Sequence, residues 1–305
     1  MCETHAYRSR AADTIIHKHS TAMMRRFSFG ILLTLLFVST VSGQSLLWKI
    51  EGNGLSSPSY IYGTIHAICP EDVVMPERIT EVMDSCDQLA LEIDLDDQRL
   101  IVEMGKISFL PGDTTLVDVF GEEDYARINT WMADSAGMAL DMLGNLRPMF
   151  LVGLLVGRII ECSPTSYEQL FMAMAQRQGK EVIGLETPAE QLSAFSVISL
   201  REQADMVIHM IDNMDSTRIE FRRLAALYRE KDLMGLRQLL LNSDIEYGRY
   251  QESLLRQRNR NWIPRMESQA KAMPTLFAVG AGHLPGEDGL LTLLRDKGYR
   301  VTPVQ

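Results

Sequence analysis

Four short apolar runs constrain what this chain can fold into: "SYIYG" (59–63), "QLALEI" (88–93), "EVIGL" (181–185) and "TLFAVG" (275–280). Each has strand length, is rich in aromatic, β-branched or leucine residues, and ends at a glycine or a carboxylate. The stretches between them carry helical spacing instead. "PERITEVMDSCD" follows Pro76 with Ile79, Val82 and Met83 at i, i+3 and i+4. "NLRPMFLVGLLVGRIIEC" reads as a buried core helix, because its uncharged run falls short of the roughly 20 residues that span a membrane. "SYEQLFMAMAQRQGK" is a further helix with Gly179 as its stop, and residues 188–272 are helical almost throughout. "SLLWKIEG" (45–52) forms a hairpin with the first run across the turn-rich "NGLSSP". A last helix ends at Gly298, before a final strand. Strands alternating with helices make an α/β fold: a central mixed sheet, surrounding helices and a helical insertion at about 188–272, all within one domain spanning 44–305.

Chemistry gathers where these runs stop. The first is followed by His66 and the last by His283, each as Gly-x-x-His: Gly63-Thr64-Ile65-His66 and Gly280-Ala281-Gly282-His283. The second carries Glu92 and the third leads into Glu186. Open α/β sheets bind ligands outside the carboxyl ends of their strands. If the four strands are parallel neighbours, two histidines and two glutamates converge on one crevice. The first strand is expected to stop at Gly63 so that the chain can turn and deliver His66; Gly63, Gly280 and Gly282 permit backbone angles or close approaches that a side chain would forbid. Two neutral imidazoles and a carboxylate can hold a divalent ion with a position open to water. The expected ligands are therefore His66, His283 and Glu92, for Zn, Mn, Co or Fe, with Glu92 or Glu186 as general base. Glu92 stands inside an apolar run, where an unpaired carboxylate is costly; Asp94, Asp96 and Asp97 read as a solvated strand exit. Plainer readings remain for two of these residues. His66 can be an ordinary loop histidine, and Glu186 can simply precede a helix with Thr187 as N-cap and Pro188 at its first position. No HExxH, GxSxG, P-loop or dinucleotide fingerprint is present.

The net charge of the 305-residue chain is −10, and no basic cluster lies beyond the N-terminus. Nucleic acid is not expected as a partner, since phosphate binding needs clustered positive charge. "MMRRFSFGILLTLLFVSTVSGQS" has Arg25 and Arg26, an apolar run and then small residues, the order of a secretory signal over 23–43. Residues 1–22 are then expected to reflect a mis-assigned start, and the remaining chain to be exported, periplasmic or extracellular. An uncleaved N-terminal anchor is the alternative. Beyond it no membrane span is expected, and the oligomeric state is open. An oxidising compartment allows disulfides. Of Cys69, Cys86 and Cys162, we expect Cys69 to pair with Cys162, since Cys69 lies just past the first Gly-x-x-His and Cys162 ends a helix. Cys86 is left free.

Five motifs in order, "YIYGTIH", "LALEID", "VIGLET…EQ", "LLRQRNRNW" and "FAVGAGHLPG", make the chain resemble the TraB/PrgY/GumN family, related to the Tiki metalloproteases and distantly to the erythromycin esterase/ChaN-like group. The resemblance covers about 46–304. It implies a paired Gly-x-x-His site with a required glutamate, here His66, His283 and Glu92, and a fold of two related halves. Arg258 and Asn259 match a further polar motif and would orient substrate or ligands; a charged helix face is the plainer reading. The implied activity is an exported metal-dependent hydrolase, a peptidase. The alternative is a non-catalytic protein that sequesters a peptide or other ligand in the same crevice, and esterase action on a small molecule is a third reading.

Overall fold

The computed structural model describes residues 45–242 and 247–305. The expected signal segment 23–43 and the start region 1–22 lie outside the described residues. Among the described residues, six strands build one mixed sheet: β1 (Leu47–Glu51), β2 (Ser59–Thr64), β3 (Gln88–Ile93), β4 (Glu181–Glu186), β5 (Thr275–Gly280) and β6 (Arg300–Pro303), in the order β4-β3-β5-β2-β1-β6. The four expected strands are the neighbours β4-β3-β5-β2, and every pairing among them is parallel. Parallel neighbours need long crossovers. The helix Ile79–Ser85 crosses from β2 to β3, and two long helical connections lead from β3 to β4 and from β4 to β5. β1 pairs antiparallel with β2 and with β6, closing one edge. The hairpin loop turns through Gly52, Asn53 and Gly54, all with positive φ (85°, 46° and 83°), a region open to glycine and tolerated by asparagine.

The helix Ile79–Ser85 buries Ile79, Val82 and Met83, the stripe that the spacing predicts. The apolar helix Pro148–Ile159 departs from expectation. It is not buried all round: Pro148, Leu151, Leu155 and Ile159 face inward, while Leu154 is 45% exposed. Gly153 and Gly157 sit off this stripe and add no apolar bulk, so the run looks more hydrophobic in letters than it is in surface. Its inner side joins a second core with Phe120, Ile128, Met132, Val207 and Met210, distinct from the core around the sheet. The helical layer thus draws on both long connections rather than on 188–272 alone. No helix among the described residues is long and apolar enough to cross a membrane.

β2 also corrects an expectation, since it continues through Thr64 instead of stopping at Gly63. Gly63 serves close approach. A Cβ there would stand 3.1 Å from both Ala281 Cα and Leu284 Cδ2, so its absence lets the turn carrying His283 press onto β2. Cys69 and Cys162 are bonded, with Cα atoms 5.9 Å apart, and Cys86 is free and buried. Beside the disulfide, Ile68 and Thr165 exchange backbone hydrogen bonds of 3.0 and 2.9 Å. The loop that follows β2 is thereby tied to the segment preceding the helix Tyr167–Arg177.

Candidate active site

That tie determines the surroundings of His66. Ser166 caps the helix Tyr167–Arg177, accepting from Gln169 N–H, and Glu168 in its first turn points inward. Thr64 Oγ1 donates to Glu168 Oε1 at 2.7 Å, and His66 Nδ1 lies 3.0 Å from the same oxygen. Burial opposes the charge of Glu168, but His66 and Thr64 outweigh it and hold its carboxyl below the usual range. His66 Nδ1 therefore carries the proton, and Nε2 is the ring nitrogen left to the cleft. The surrounding protein mass opposes a charge on His66, whereas Glu168 and Glu92 favour one, and the net effect raises its pKa. Its side chain is 69% exposed, so water screens the two carboxylates in part, and His66 keeps its proton more readily than an ordinary histidine.

His283 is the opposite case. It ends the short 3-10 turn Ala281–His283 after β5 and is buried. Asn259 Nδ2 donates to the carbonyls of His283 (3.2 Å) and Asp288 (2.8 Å), which leaves Asn259 Oδ1 to accept. It does so from His283 Nδ1 at 2.6 Å. The tautomer follows: Nδ1 is protonated, Nε2 carries the lone pair, and Arg258 Nη1 donates to Nε2 at 3.1 Å. Burial pushes the His283 pKa down to about 3, so the ring is neutral at neutral pH.

Arg258 lies at the centre. Its Nη2 donates to Glu92 Oε2 and to Glu186 Oε1, both at 2.6 Å, and its Nε donates to Glu186 Oε1 at 3.0 Å. Its guanidinium carbon stands 4.7 Å from the centroid of the Trp262 ring, which packs on His283 in turn. Glu92 Oε1 accepts the Gly280 N–H at 2.8 Å. Burial works against ionisation of Glu92, but the Arg258 charge prevails and holds its carboxyl well below the usual carboxylate range. Glu186 also accepts from Trp262 Nε1 at 3.0 Å and from Gln191 Nε2 at 3.1 Å. Thr187 and Pro188 do form the expected N-cap and first helical position, with Glu190 completing a capping box. Arg258 and Asn259 are buried, so a charged helix face does not describe them. The helix Gln257–Ala272 that carries them continues back into a wider π-type turn, Glu252–Arg256, whose Leu254 carbonyl accepts from Arg258 Nη1 at 3.0 Å; such turns recur at functional sites.

A cleft of about 480 Å³ opens over these strand ends. His66, Glu92, Arg258 and His283 line it; Glu186 lies behind Arg258 and does not. Glycine again makes room, since a Cβ on Gly280 would come within 3.2 Å of Glu92 Oε1. The donors fit a divalent ion in chemistry: two imidazoles, each with its far nitrogen fixed by a buried partner, and one carboxylate. Among the described residues, however, no three His, Cys, Asp or Glu side chains already stand grouped to hold an ion. The Arg258 guanidinium lies among the carboxylates instead, with His283 Nε2 4.0 Å from Glu92 Oε1.

Several partners of the site residues carry little or no local sequence signal. Glu168 left a signal: it shares the stripe of Phe171 and Ala175 at i, i+3 and i+7, a carboxylate on a buried face. Gln191, which bridges Glu92 (3.3 Å) and Glu186, and Trp262 close two of the five motifs, yet neither residue type on a helix points to a carboxylate partner.

The fold and site define a class: an α/β protein with a parallel-strand core and a polar cleft beyond the carboxyl ends of its strands. The chain belongs to the TraB/PrgY/gumN family, whose sequence model matches residues 46–303. It is similar to Metalloprotease TIKI2 of Danio rerio (25% identical, covering 88% of this chain and 63% of that protein). It is also similar to Metalloprotease TIKI homolog of Amphimedon queenslandica (25%, 84% and 61%) and Metalloprotease TIKI1 of Danio rerio (24%, 84% and 62%). The chain spans less than two thirds of the length of these curated relatives. No solved structure matches it.

Proposed function

We propose that this protein is an exported, metal-dependent hydrolase of peptides, with His66 Nε2, His283 Nε2 and Glu92 as the groups that would hold the ion once Arg258 Nη1 withdraws from His283 Nε2. One observation carries the reading: the two histidines and Glu92 line one cleft, and each imidazole has its outer nitrogen held by a buried partner, Glu168 or Asn259. A divalent cation bound there would supply Lewis acidity, polarising a carbonyl and acidifying water. Asn259 and Glu168 fix ring orientation and tautomer. Hydrolysis adds a water's oxygen to the scissile carbonyl carbon and its proton to the leaving amine nitrogen as the C–N bond breaks. Glu92 is the cleft carboxylate that can carry that proton; Arg258 lowers its basicity, so the transfer requires their contact to lengthen. Glu186, screened behind Arg258, positions the guanidinium instead. Export is supported by the signal pattern at 23–43 and by the Cys69–Cys162 bond, which suits an oxidising compartment.

A second reading, peptide sequestration without turnover, is favoured by the Arg258 guanidinium, which already neutralises Glu92. Incubating the protein with a peptide library under Zn, Mn, Co or Fe, with and without a chelator, separates the two by mass spectrometry. Metal-dependent, multiple-turnover cleavage supports the hydrolase; saturable binding that survives chelation without cleavage supports sequestration.

A further inference from the structure

The cleft has two chemically different ends. The helix Pro188–Phe195 places Gln191 against Glu92 and, four residues on, Phe195 in the cleft wall. The helix Met214–Arg229 repeats the arrangement in reverse: Tyr228 donates to the Gly63 carbonyl at 2.7 Å, while Leu224 and Phe221, one and two turns back on the same face, join the apolar wall. Leu236 adds to it. Phe195, Phe221 and Leu224 are only partly buried, so they offer apolar surface to the cleft. Four helical residues rise about 6 Å, and an extended peptide advances about 3.3–3.6 Å per residue. The apolar wall therefore begins one to two residues away from the polar end. At about 480 Å³ the cleft belongs with sites for small ligands and short peptide segments.

We propose that the cleft selects peptides carrying a bulky apolar side chain, of leucine, methionine or phenylalanine size, within two residues of the bond presented to His66, Glu92 and His283. The inference rests on the peptide reading above for the direction in which the ligand lies. Phe195, Phe221, Leu224 and Leu236 receive that side chain, and the strand ends meet the backbone.

The test uses the whole protein and two capped pentapeptides, Gly-Gly-Phe-Gly-Gly and Gly-Gly-Ala-Gly-Gly, titrated by calorimetry and then assayed for cleavage with added metal. Burying a phenylalanine side chain should make the first bind about tenfold or more tightly. Leu224→Asn and Phe221→Ser should erase the preference, with a thermal melt confirming that each variant folds; if one does not, the other decides. Equal affinity for both peptides, or no binding of either, overturns the inference. A clear phenylalanine preference without cleavage under any metal upholds it and sinks the hydrolase reading, so the two failures are distinguishable.

Discussion

Replacing Arg258 by glutamine tests the centre of the structure. The guanidinium is buried and bonds two buried carboxylates at 2.6 Å, so Arg258→Gln leaves Glu92 and Glu186 without their shared counter-charge. Removing one partner of a buried ion pair costs about 3–5 kcal/mol, enough to lower the melting temperature on the order of 10 °C. The sign of the pH dependence follows. In the parent, Glu92 has a depressed pKa; its contribution is present above the unfolded value of about 4.3 and is lost as pH falls. In the variant, burial acts without Arg258 and raises the Glu92 pKa above the unfolded value, so the penalty is full at neutral pH and relieved as acid supplies a proton. Chemical denaturation at pH 7 and pH 4.5 measures both. The gap between parent and variant should narrow at the lower pH, and Glu92→Gln added to Arg258→Gln should recover part of the loss. A cost below about 1 kcal/mol, well under the range for such pairs, with no change between the two pH values would refute the reasoning.

Other expectations follow from single contacts. Cys162→Ser opens a loop with a sequence separation of 93 and should cost up to about 4–5 kcal/mol, while Cys86, whose thiol burial pushes up to about 12, should resist thiol reagents until the protein unfolds; rapid labelling of native protein would contradict this. Glu168→Gln removes the carboxylate that favours a charged His66, so the His66 pKa followed by NMR should fall, and an unchanged value would show that Glu168 is not its partner. Gly280→Ala sets a Cβ 3.2 Å from Glu92 Oε1 and should destabilise by about 1 kcal/mol, whereas Gly105→Ala, in an open part of the helix Leu100–Ile107, should stabilise by about 0.5–1 kcal/mol; equal effects would mean that Gly280 has no tight neighbour.

Much of this was readable beforehand, for physical reasons. Strand periodicity and turn residues gave the sheet, and the carboxyl-end rule brought His66, Glu92, Glu186 and His283 to one edge of it. A carboxylate inside "LALEID" had to have a partner, and Arg258 proved to be that partner. The partner's identity was not legible, because a contact between residues 92 and 258 depends on how helices pack and leaves no local pattern. The same holds for Gln191 and Trp262. The Pro148–Ile159 helix reads as more deeply buried than it is, because its glycines extend the apolar run yet bury no side chain. At Gly63 the sequence allows either a turn or a close approach; β2 runs on through Thr64, and the close approach to the turn at Ala281 is the one the fold uses.

The most direct measurement is calorimetric titration of Zn²⁺, and of Mn²⁺ in parallel, into the parent protein and into His66→Ala, Glu92→Gln, His283→Ala and Asp96→Ala. One ion should bind per parent chain, with affinity lower by at least about tenfold in each of the first three variants and no change for Asp96, which lies exposed beyond β3. Parent-like affinity in the His66 and His283 variants, or no binding by the parent at all, would contradict this.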